Sequence, residues 1–154
     1  MSIPADATIF LVEDDPDDVF LMERALKAAK ISNKVHRAEN GRQAIDYLAG
    51  NGIFADRTQY PLPRLVLLDL KLPYKDGFEV LEWLRRQPMF ESMVVVILTS
   101  SSQQKDLNRA YKLGARSYLV KPPTPEMIKA LDASLTAFWS KPTRTSASPF
   151  EPQK

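Results

Sequence analysis

The chain has 154 residues, with 21 Lys and Arg against 19 Asp and Glu and no cysteine. That length suits one domain able to bury about two thirds of its unfolded surface without disulfides or a structural metal, and the missing cysteines exclude a disulfide scaffold, thiolate-bound zinc and a thiol nucleophile. A net charge of +2 is too balanced to imply nucleic acid, the first residues lack a signal peptide's basic and apolar regions, and no apolar run approaches the ~20 residues of a membrane span, so the expectation is a cytoplasmic protein.

Residues 8–13 form a continuous apolar run that predicts a first buried strand. Asp14-Asp15-Pro16-Asp17-Asp18 follows, with Asp15 as N-cap and Pro16 at the first helical position. The acids of that turn face the positive end of the helix. Val19, Met22 and Leu26 carry this helix to about Lys30. Residues 33–37 predict a short polar strand near a sheet edge, and its His36, the single histidine, reads as a surface residue. Asn40-Gly41 turns into a helix with Ala44, Ile45 and Leu48 inward. Residues 51–63 are a long connection, either a partner contact or an insertion.

Leu65-Val66-Leu67-Leu68-Asp69 predicts a central strand buried on both faces and ending in one carboxylate. Pro73 and Asp76-Gly77 mark a tight loop, and a helix follows to about Gln87, where Pro88 stops it. Trp83 flanks that helix's core or lies at an interface. A fourth run, 93–98, ends at Thr99, and a helix from about Gln103 closes at Gly114. Residues 117–120 form a fifth strand leading into Lys121-Pro122. Thr124 and Pro125 start a last helix through Met127, Leu131, Leu135 and Phe138. The Ser, Thr, Pro and Lys composition of 140–154 predicts a disordered tail too short for an output domain.

Five strands alternating with five helices predict an α/β fold, a doubly wound five-stranded parallel sheet of flavodoxin-like order 2-1-3-4-5. Strand ends then deliver Glu13, Asp14, Asp69, Thr99 and Lys121 to one carboxyl edge. Asp69 could simply cap the next helix, and helix capping suffices for Asp15, Asp17 and Asp18. It does not account for the five strand-end residues together. Three crowded carboxylates repel, and burial disfavours their charged forms. Mg²⁺ relieves this with oxygen ligands while leaving positions for water and phosphate. An aspartate so placed is a candidate nucleophile for phosphoryl transfer.

The chain resembles the receiver domain of bacterial response regulators, the CheY-like family, over residues 7–139. Leu11-Val12-Glu13-Asp14-Asp15 resembles the acidic-pair segment, and Leu67-Leu68-Asp69 with Leu72-Pro73 and Asp76-Gly77 the phosphoacceptor segment. Leu98-Thr99-Ser100 is similar to the switch hydroxyl segment. Gly114 through Pro122 matches the segment of the switch aromatic, Tyr118, and the lysine, Lys121. The resemblance implies that Asp69 accepts phosphate from a sensor histidine kinase, catalysing only its own phosphorylation and dephosphorylation. It implies Mg²⁺ on Glu13 (through water), Asp14, Asp69 and the Lys71 backbone carbonyl, and a cis Lys121–Pro122 peptide. Lys71 departs from the small polar residue common there. The 51–63 connection, the Leu-Pro-Tyr-Lys-Asp-Gly segment and Phe138-Trp139 resemble small stand-alone regulators that partner bacterial phytochromes.

Output is then a protein contact with a downstream target or phosphotransfer protein. The surface of helix 4, strand 5 and helix 5, carrying Leu107, Tyr111, Phe138 and Trp139, is expected to form a homodimer. Nucleic acid and membrane are not expected partners. Two other classes remain. A haloacid-dehalogenase-type phosphatase shares the strand-end aspartate, hydroxyl, lysine and Mg²⁺, but needs a second aspartate where Lys71 stands. A degenerate receiver would act only as a binding scaffold.

Overall fold

The computed structural model describes residues 3–100 and 104–139. Strands β1 (Ile9–Val12), β2 (Val35–Ala38), β3 (Leu65–Asp69), β4 (Val94–Thr99) and β5 (Ser117–Val120) alternate with helices α1 (Pro16–Ala28), α2 (Gly41–Ala49), α3 (Gly77–Arg85), α4 (Gln104–Lys112) and α5 (Pro125–Ser134). A short α6 (Thr136–Trp139) follows. All pairings are parallel, in the order β2-β1-β3-β4-β5. The expected disordered tail lies outside the described residues.

The apolar runs lack alternation because the sheet is covered on both sides. Ile9, Leu11, Leu65, Leu67, Val94 and Val96 pack against Met22 and Leu26 of α1 and Ile128 and Leu131 of α5. Phe10, Val12, Val66, Leu68, Val95 and Ile97 pack against Tyr47 and Leu48 of α2 and Val80, Leu81 and Leu84 of α3. Each fully buried aliphatic side chain contributes about 1.5–3 kcal/mol. The ends of β1, β3 and β4 are therefore anchored by the deepest part of the core.

Local signals set the helix starts. Asp15 Oδ1 accepts the Asp17 amide at 2.9 Å, and Thr124 Oγ1 the Met127 amide at 3.1 Å. Asp76 and Glu79 exchange bonds in a capping box. Gly50, at φ 75°, ends α2 in the left-handed region.

Three expectations change. Helix α3 stops at Arg85, and Pro88 instead opens a 3₁₀ turn, Pro88–Phe90. The last helix breaks at Leu135, and α6 turns Trp139 into the α1/α5 core under the Arg64 guanidinium, 5.5 Å from its ring. Phe138 is half-buried beneath Arg116, and Leu107 is buried. The expected dimer face thus keeps only Tyr111 and Tyr118 of its large exposed apolar groups. The 51–63 connection folds back on α2. Its 3₁₀ turn, Gly52–Ala55, places Phe54 on Tyr47, while Arg57 donates to the Tyr47 and Leu48 carbonyls, both at 2.8 Å. The segment satisfies the C-terminal carbonyls of α2. Trp83 flanks the α2/α3 core.

His36 is half-buried in this aromatic group, 5.9 Å from Tyr47 and 6.3 Å from Tyr60. Burial, with Lys34 nearby, holds its pKa below the usual imidazole value. The unfolded chain then binds a proton that the fold resists, so this contribution is present above the unfolded value and lost as pH falls through it. His36→Phe keeps the ring packing and removes the titration. Between about pH 7.5 and 5.5 its melting temperature should fall less than wild type's; an equal fall would mean that His36 does not couple protonation to folding.

Candidate functional site

Each strand end carries one chemical group to the same edge. The register Val12↔Leu68, Asp69↔Leu98 and Thr99↔Val120 aligns the exits of β1, β3, β4 and β5. There Glu13, Asp14, Asp69, Lys71, Thr99 and Lys121 line one open cleft of about 370 Å³. The Lys121 amide donates to the Thr99 carbonyl at 2.8 Å, which fixes the start of the β5–α5 turn. The Lys121–Pro122 peptide is cis.

Lys121 Nζ donates to Glu13 Oε1 at 3.0 Å, Asp69 Oδ2 at 3.0 Å and Asp18 Oδ2 at 2.9 Å. An ammonium has three N–H groups, so its donor capacity is filled. Burial alone would lower its pKa; bonds to Asp18, Asp69 and Glu13 outweigh that and hold it well above the usual lysine value. Glu13 is 1% exposed. Its burial, and then the charge of Asp69, push its carboxyl up to about 7, against the opposing bond from Lys121. Asp69 is also buried, and its Oδ1 accepts the Lys71 amide at 3.0 Å, while Oδ2 faces the lysine. The two oxygens of the β3 carboxylate are thereby distinguished.

Ligand oxygens of Glu13, Asp14 and Asp69 lie within 4.8 Å of one another. Asp14 stands exposed at the mouth and the other two are buried. A buried carboxyl that resists ionisation beside two others is what a hard divalent cation would relieve, so the donor set fits Mg²⁺.

The loops around this edge are tightly packed. A Cβ on Gly77 would come within 2.5 Å of the Asp69 carbonyl oxygen, and one on Gly41 would overlap the Lys75 carbonyl oxygen. Helices α3 and α2 can approach the β3–α3 loop this closely only through glycine. Tyr74, in that loop, sits at φ 69° and is 85% exposed. On the far side Tyr118 is exposed on β5, beside Tyr111 of α4.

Two contributors escaped the sequence reading. Asp18, assigned there only to helix capping, reaches Lys121 from the first turn of α1. The signal was present, since Asp18 lies one turn beyond Asp14, but nothing in the spacing says that β5 brings a cation opposite. Arg37 of β2 donates from Nε to the Glu13 carbonyl at 3.0 Å and from a terminal nitrogen to the Asp14 carbonyl at 3.2 Å. Its fork clamps two successive carbonyls of the acidic loop, through a β1/β2 register that the sequence does not spell out.

The response regulator receiver domain family matches residues 9–143. The probable methanogenesis regulatory protein FilR2 of Methanothrix harundinacea is 37% identical, over 85% of this chain and 82% of its own. Response regulator Rcp1 of Synechocystis is 33% identical, over 85% of this chain and 87% of its own; the solved Mn(2+)-bound form of Rcp1 superposes with a TM-score of 0.71 at 30% identity, covering 91% of this chain and 99% of that one. The bacteriophytochrome response regulator RtBRR superposes with a TM-score of 0.78 at 38% identity, covering 95% of this chain and 87% of that one. Acidic cleft, strand order and sequence agree on one lineage: this chain belongs to the response regulator receiver family.

Proposed function

We propose that this chain is a stand-alone response regulator of a two-component phosphorelay whose phosphoacceptor is Asp69. The observation that carries the reading is the Lys121 ammonium 3.0 Å from a buried strand-end carboxylate, inside a set of three carboxylates spaced for a divalent cation. An Asp69 carboxylate oxygen would attack the phosphorus of a kinase phosphohistidine; the N–P bond breaks and the imidazole nitrogen keeps its electron pair. Glu13, Asp14, Asp69 and the Lys71 carbonyl would hold Mg²⁺, whose bound charge would neutralise phosphoryl oxygens. Lys121 would turn from Asp69 toward the phosphoryl group while keeping Glu13. The Thr99 hydroxyl, at the end of β4, would donate to a phosphoryl oxygen by moving toward Asp69. Likeness to RtBRR supports a bacterial phytochrome kinase as the donor, and the Mn(2+)-bound Rcp1 supports divalent metal at this edge.

The outward signal would leave through α4, β5 and α5. Movement of Thr99 vacates space behind β4 that the Tyr118 ring, now on the surface, would enter. Tyr111 beside it completes an exposed aromatic pair, through which this chain would self-associate or meet its downstream target. The receiver-family match supports a phosphoacceptor role for this chain. No helix among the described residues is long and apolar enough to cross a membrane.

With Mg²⁺ and acetyl phosphate, wild type should gain one acid-stable, base-labile phosphoryl group. Asp69→Asn keeps the shape and removes the nucleophile, so mass spectrometry should find no incorporation; labelling of the variant at the wild-type level would move the acceptor elsewhere.

Asp14→Asn removes one charge from the cation set at the exposed mouth of the cleft. Titration should show Mg²⁺ affinity weaker by about tenfold or more, the scale of one lost anionic ligand, with the melting temperature held or raised. Unfolding of this variant would make Asp14 a structural residue instead.

Sedimentation of wild type, Thr99→Ala and Tyr118→Ala, with and without beryllofluoride, tests the switch. The mimic should shift wild-type self-association or kinase affinity by a coupling of about 1–3 kcal/mol, and each variant should lose that shift. A wild type that binds the mimic and shifts neither does not signal through this face.

A further inference from the structure

Asp18 stands apart from the other acids of the cleft. It lies outside the three carboxylates spaced for a cation. It caps nothing: Asp15 accepts the first α1 amide bond. Its carboxylate instead makes the shortest of the three contacts to Lys121, at 2.9 Å, and lines the cleft with 27% of its side chain exposed. The negative charge at this position therefore acts on the ammonium and on whatever anion occupies the cleft beside it.

We propose that Asp18 is a positioning residue that holds Lys121 in the resting site and weakens the attraction of the cleft for a phosphoryl group on Asp69. The inference rests on the phosphoacceptor reading above. All three N–H groups of Lys121 are engaged by carboxylates. A phosphoryl group on Asp69 can take only the bond that Asp69 itself gives up, because Glu13 and Asp18 keep theirs. The lysine then meets the phosphoryl oxygens with its charge already shared between two anions. Asp18 and Asp69 contact the same Lys121 nitrogen, at 2.9 and 3.0 Å, so the Asp18 charge stands across one ammonium from the incoming anion, where like charges repel. Asp17, its neighbour in the same turn, carries the same charge and makes no contact with Lys121. The pair separates a specific contact from the general field of the acidic turn.

The test is beryllofluoride binding at saturating Mg²⁺, followed by fluorine NMR and calorimetry on the full chain. Asp18→Asn should bind the mimic about three- to tenfold more tightly than wild type, the scale of one partly screened charge. Asp17→Asn should stay within about twofold, as a solvated charge further away would. Asp18→Ser, a second neutral side chain, should tighten binding as Asp18→Asn does, and Asp18→Glu, which keeps the charge, should stay near wild type. A merely structural Asp18 would weaken binding or leave it unchanged on substitution, and either result overturns the inference. Equal tightening by the Asp17 and Asp18 variants also overturns it, in favour of a general field. A wild type that fails to bind the mimic sinks the phosphoacceptor reading itself; a wild type that binds it while the Asp18 variants match it sinks this inference alone.

Discussion

The ammonium of Lys121 holds together a set of carboxylates that would otherwise drive the sheet's carboxyl edge apart. Glu13 and Asp69 are both buried, and burying like charges costs several kcal/mol per ion unless they are paired and hydrogen-bonded. One cation with three donors meets that need from across the sheet, reaching Asp69 on β3, Glu13 after β1 and Asp18 on α1. The balance is incomplete, since Glu13 still has its carboxyl pushed up to about 7 by burial and by Asp69. The surplus negative charge that this leaves is what a divalent cation in the proposed site would neutralise. Stability is given up at the site in the form that ligand binding can return.

Rigidity is distributed to match. The strands that present the acids are nearly inaccessible to solvent and packed on both faces, so their ends hardly move relative to one another. The connecting loops at this edge are tightly held. The β3–α3 loop is wedged between Gly41 and Gly77 and passes through Tyr74 in a left-handed conformation that non-glycine residues seldom adopt. Arg37 steadies the acidic loop from below by its carbonyls, which leaves the carboxylates themselves available for ligands. In the proposed switch, such a framework would pass a change at Asp69 through discrete movements of side chains such as Thr99 and Tyr118 rather than through deformation of the sheet.

Much of this was legible in the chain before any coordinates. The runs at 65–69 and 94–98 lack alternation because both sheet faces are covered, and that forces a parallel, doubly wound sheet with its site at the carboxyl edge. One polar strand and three apolar ones suit the order found, with β2 at an edge and β1, β3 and β4 inside. Asp15, Asp76 and Thr124 announce helix starts because a side-chain oxygen next to a free amide is a local interaction. Glu13, Asp14, Asp69, Thr99 and Lys121 could be named because each ends a strand or stands within two residues of its end, so strand direction delivers it to the edge.

What the sequence could not decide depended on distances across the fold. Asp18 and Arg37 look like ordinary surface charges until β5 and β1 bring their partners within 3 Å or so. His36 reads as a surface residue because its aromatic partner, Tyr47, lies on another element. Leu107 and Trp139 were placed on the expected dimer surface, but the break at Leu135 and the packing of α4 turn them inward. Local sequence determines which element forms and what stands at its end, since those interactions span a few residues. Which charges pair, and which apolar side chains are covered, is settled only when elements far apart in the chain are pressed together, because pairing and burial depend on separation in space and not along the chain.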